Sequence, residues 1–150
     1  DGLWLDHAGR TRREPRFEPV ARRGAMTARA WTLASCVEVI ESSYEFMLAY
    51  AAQGRDQEGH DTSPTIRMAL TALHDALGAI DGALPREGQA FFDILRDDAR
   101  RAHAAVALVL ATANISSQLV DNLNATVHLR ALLTSMFLAD EAVKQIGAKG

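Results

Sequence analysis

The chain has 150 residues, enough for one domain to bury a core without disulfides or metal. Its hydrophobic fraction is 48% and its aromatic fraction 6%, so small and aliphatic side chains supply the apolar content and an all-α fold is expected over a β-sandwich. A formal charge of −3 offers no global basic field for nucleic acid or anionic membrane, and the single cysteine, Cys36, excludes a disulfide framework or multi-cysteine zinc site within one chain.

Residues 1–25 carry six Arg against four acids, are interrupted by Pro15 and Pro19, and show no sustained apolar period. They read as an irregular basic arm or a vector-derived segment, with the domain occupying residues 26–150. Asp1 to Met26 lacks the apolar run of a signal peptide. The longest strongly apolar stretch, Ala104 to Ala111, falls short of the roughly 18 to 20 residues that span a bilayer. A cytoplasmic protein that engages neither membrane nor nucleic acid is therefore expected.

From Thr27, an N-cap residue type, Leu33, Val37, Ile40, Tyr44, Met47 and Ala51 recur in steps of four and three, and Gly54 stands where a helix-terminating glycine belongs. Ser63 and Pro64 give a start signal for a second helix, whose apolar positions are Ile66, Leu70, Leu73, Leu77, Ile80 and Leu84. A turn at residues 84–88 leads to a third run, Phe92, Leu95, Ala99, Ala102, Val106, Val109 and Ala113. A break at residues 114–117 then precedes a fourth helix from about Gln118 to Ile146. Heptad-spaced seams with a short turn between the second and third helices predict an antiparallel up-down-up-down four-helix bundle.

Two surfaces exceed what a lone bundle needs. On the first helix Val39, Phe46 and Tyr50 form a second apolar stripe, about 100° or more from the core seam, opposite an acidic flank of Glu38, Glu41 and Glu45. The fourth helix spreads apolar residues over about two-thirds of its circumference, with Arg130, Asn122 and Asp140 projecting into the arc as buried polar residues or ligand contacts. The stripe on the first helix is the predicted interface of a homodimer.

The histidines raise a metal reading, but the residues three before His74, His103 and His128 are Thr71, Arg100 and Ala125, so the Glu-x-x-His turns of di-iron bundles are absent. A metal site would have to be assembled across helices from Glu41 or Glu45 with His74 or His103. His74 in His-Asp-Ala-Leu-Gly, with Gly78 four residues on and Gly82 beyond, resembles the phosphorelay histidine of histidine-phosphotransfer bundles, which carry a Gly at that offset. Leu77 stands where that family has a Lys, which removes the charge partner expected for a phosphoryl group. Cys36, near the edge of the first seam with no basic neighbour in sequence, reads as a buried structural thiol. No nucleophile elbow or glycine-rich phosphate loop appears, and no strand to carry one is expected.

The sequence thus reads as a non-enzymatic helical protein that acts through protein-protein interaction, self-associates and needs no cofactor. The alternative is a metal- or cofactor-binding bundle with a sensor or redox role, or a histidine-phosphotransfer-like module. Fourteen Arg against two Lys fits a GC-rich bacterial genome.

Overall fold

The computed structural model describes residues 3–5, 10–13, 30–59 and 65–148. Two three-residue strands, β1 (Leu3–Leu5) and β2 (Thr11–Arg13), pair antiparallel with Trp4 opposite Arg12. This hairpin falls within the segment expected to be irregular, and it corrects that expectation and the absence of strands for these six residues. The rest of residues 1–25, apart from Arg10, lies outside the described residues.

Five helices follow: α1 (Leu33–Ala52), α2 (Ile66–Ala83), α3 (Gln89–Leu110), α4 (Ser117–Asn124) and α5 (Val127–Gly147). Thr32 caps α1, accepting from the Ser35 amide while the Ser35 hydroxyl accepts from the Thr32 amide. This reciprocal box satisfies two N-terminal donors and starts the helix five residues later than Thr27 would. Gly54 follows the helix at φ 64°, the left-handed conformation expected of its glycine. Thr65, whose hydroxyl accepts from the Met68 amide, caps α2, and the Ser63 and Pro64 start signal lies outside the described residues.

The seams of α2 and α3 are buried as their periodicity requires, from Ile66 to Leu84 and from Phe92 to Val109. On α1 Leu33, Val37, Ile40 and Met47 are buried, while Tyr44 and Ala51 are partly covered. Helices α2 and α3 run antiparallel, because their cross-helix contacts pair 67 with 110, 74 with 103 and 81 with 96, one heptad apart on each side. Helix α1 packs against α2 and α4, and α3 packs against α2 and α5.

The expected single fourth helix is two helices. Ala125 closes α4, and Thr126 takes an extended conformation at ψ 134° before α5 begins. The Thr126 hydroxyl donates to the Leu123 carbonyl at 2.8 Å, a local bond of the kind by which Thr competes with helix continuation. The break lets α4 lie on α1 and α5 on α3, so each buries its own apolar side.

Two loops are clasped together at one end of the helices. The Tyr50 hydroxyl donates to the Ile115 carbonyl at 2.5 Å, and the Ser117 hydroxyl donates to the Tyr50 carbonyl at 2.7 Å. Arg67 donates to both Glu58 carboxylate oxygens, at 2.6 and 3.2 Å, and to the Leu110 and Thr112 carbonyls. Glu58 also accepts from the Ile115 amide, and the Asn114 side chain bridges Asp56 and Glu58. These bonds satisfy the Leu110 carbonyl at the end of α3 and the Thr112 carbonyl just beyond it, and tie the loop before α4 to the loop after α1.

Candidate functional site

The second stripe of α1 is not an exposed surface. Phe46 and Tyr50 belong to the core and Val39 is half-buried against it. Helix α4 occupies the side of α1 that the sequence offered to another subunit, and the Tyr50 hydrogen bond to Ile115 anchors the helix start there. Glu38, Glu41 and Glu45 are exposed, as the acidic flank requires.

The polar residues expected inside the fourth helix also sit differently. Arg130 and Asn122 are exposed, Asn122 accepting from Gln118 at 3.1 Å within α4. Asp140 is partly buried and pairs with Lys144 at 2.8 Å. Its hydrogen bond and charge, with Glu141 and Glu41 nearby, raise the Lys144 pKa above the ordinary value. The interruption at Ala125 to Thr126 shifts the helical phase, so residues placed on one arc by a continuous helix face different ways.

Of the four residues considered for metal, the structure brings together His74 and His103 alone. Their rings stack with centroids 3.8 Å apart and planes 25° from parallel. No group of three or more His, Cys, Asp or Glu able to hold a metal ion occurs among the described residues, so neither Glu41 nor Glu45 completes a ligand set with them. Near-parallel rings also direct their nitrogen lone pairs side by side, whereas a shared ion needs them to converge.

The pair lies in an open cleft of about 460 Å³, lined by Trp31, His74, Asp75, Gly78, Ala79 and His103. Gly78 lies against the imidazole from the facing helix, where a Cβ would stand 3.4 Å from His103 Nε2. The glycine that resembles the phosphotransfer spacing packs on His103. Burial lowers the His103 pKa below its ordinary value, the neighbouring His74 lowers it further, and Asp75 opposes both. The cleft favours neutral imidazole at His103. Cys36 is free and buried, and burial alone pushes its thiol up to about 11, which keeps it protonated and unreactive.

A second candidate surface lies on α5. Val127, Phe137, Leu138 and Ile146 are exposed, Leu138 by 60%, whereas Leu129, Leu132, Leu133, Met136 and Ala139 are buried on the other side. The sequence places Val127, Leu129, Leu132, Leu133, Met136, Phe137 and Leu138 in one wide arc, and projection at 100° per residue within α5 separates its buried members from its exposed ones. No helix among the described residues is long and apolar enough to cross a membrane. No family model, curated protein or solved structure matches the chain.

Proposed function

We propose that this chain is a non-enzymatic helical protein of a bacterial cytoplasm that acts by binding protein, copies of itself included. The observation that carries this reading is the outward face of α5, where large apolar side chains stand in solvent although the same helix has a complete buried face toward the core. Scattered exposed apolar residues are ordinary, but Phe137 and Leu138 adjoin one another and share their face with Val127, which favours a contact surface. In the same reading α4 and α5 share the fourth position of an antiparallel up-down-up-down bundle, α4 against α1 and α5 against α3. Sedimentation velocity across the micromolar range tests the self-association: a larger species that grows with concentration supports it, and a monomer throughout contradicts it.

A second reading has one observation in its favour, the partly exposed His74 imidazole in its cleft. In it the cleft takes a metal or cofactor in a sensor or redox role, or His74 accepts a phosphoryl group as in the bundles it resembles. Elemental analysis of protein purified without an affinity tag tests the first form. Phosphorus NMR after incubation with phosphoramidate tests the second.

A further inference from the structure

Along the outward face of α5, Val127, Arg130, Thr134, Phe137 and Glu141 follow one another in steps of three and four. That is the spacing of a coiled-coil seam, and here it lies on the exposed side, with Leu138 beside it. Its ends carry opposite charge, Arg130 toward the start of the helix and Glu141 toward the end. Eleven residues of helix separate them by about 16 Å, too far for the two to pair within one chain.

Resting on the interaction reading above, we propose that α5 docks on α5 of a second copy, antiparallel about a two-fold axis that passes between Thr134 and Phe137. An antiparallel pair centred there sets each Arg130 against Glu141 of the other copy and each Thr134 against Phe137. Leu138 of both copies closes the middle. The pattern is self-complementary, as a two-fold interface requires. A parallel pair would instead oppose Arg130 to Arg130 and Glu141 to Glu141, which like-charge repulsion disfavours. The arrangement also uses the charges economically, because both sit on the rim of an apolar centre and fix alignment without being buried.

The experiment is a charge exchange followed by sedimentation equilibrium of the full chain at low ionic strength, with circular dichroism to verify helicity. Arg130→Glu and Glu141→Arg each create two like-charge contacts per dimer and are expected to weaken association about tenfold or more. Arg130→Glu combined with Glu141→Arg restores the two opposite-charge contacts and should recover affinity to within about threefold of the original chain. Because the two positions do not touch within a chain, recovery in the double variant has no intramolecular explanation. Failure of the double variant to recover, with Leu138→Glu still dissociating the dimer, overturns the antiparallel alignment while leaving α5 as an interaction surface. A chain that is monomeric throughout overturns the alignment and the self-association together.

Discussion

The imidazole of His103 stacks on that of His74 and lies against Gly78, one turn along α2 from His74. An alanine there brings its Cβ to 3.4 Å from His103 Nε2, ordinary contact distance. Gly78→Ala should therefore stabilise the fold by about 0.5 to 1 kcal/mol through helix propensity. Gly78→Leu should displace the His103 ring and return its pKa toward the ordinary value. Thermal unfolding reads the first effect and imidazole NMR titration the second.

Stability should fall on acidification. Because the folded-state pKa of His103 lies below the ordinary 6.5, the unfolded chain takes up the proton first. The stabilisation from a neutral His103 is complete above 6.5 and is lost as pH falls through that value toward the folded-state pKa. Urea unfolding at neutral and mildly acidic pH should show the decline, and His103→Gln should reduce it. An equal pH dependence in the variant would place its source elsewhere.

The clasp between the loops should be energetically local and sizeable. Glu58→Ala removes the acceptor of Arg67 and of the Ile115 amide, and a loss of about 1 to 3 kcal/mol is expected. Asp93→Ala, which deletes one partner of Arg96 at an exposed site, should cost about 0 to 1 kcal/mol. Denaturant unfolding of the two variants measures the contrast.

Ser43 is fully buried on α1, and its hydroxyl has no hydrogen-bond partner among the described residues. Ser43→Ala removes a desolvated polar group and improves helix propensity, so it should stabilise the chain by about 0.5 to 1.5 kcal/mol in chemical denaturation. A destabilised variant would indicate that the hydroxyl has a bonding partner in solution.

The all-α class and the seams of α2 and α3 were legible in the sequence because each helix has one continuous apolar stripe and a short turn joins them. The break at residues 114–117 was legible too, since polar residues interrupt the period there. What misled was a helix with two apolar sides. On α1 the spacing of Phe46 and Tyr50 identifies an apolar face but not what covers it, and α4 covers it within the chain. The interruption at Ala125 to Thr126 carries neither Gly nor Pro, so nothing in composition marks it, and the phases of Asn122 and Arg130 were lost with it. The His74 and His103 pairing depends on the register between α2 and α3, which the turn length constrains without fixing.

Whether the exposed face of α5, and not the apolar stripe of α1, is where this chain meets a second copy is tested by comparing Leu138→Glu with Phe46→Glu. Sedimentation velocity and circular dichroism on both variants are needed together. Leu138 is exposed, so its variant should retain full helicity and sediment as a monomer where the original chain associates. Phe46 is 9% exposed within the core, and burying a carboxylate there should abolish cooperative unfolding. A folded, monomeric Phe46→Glu chain beside a Leu138→Glu chain that still associates would contradict docking through α5.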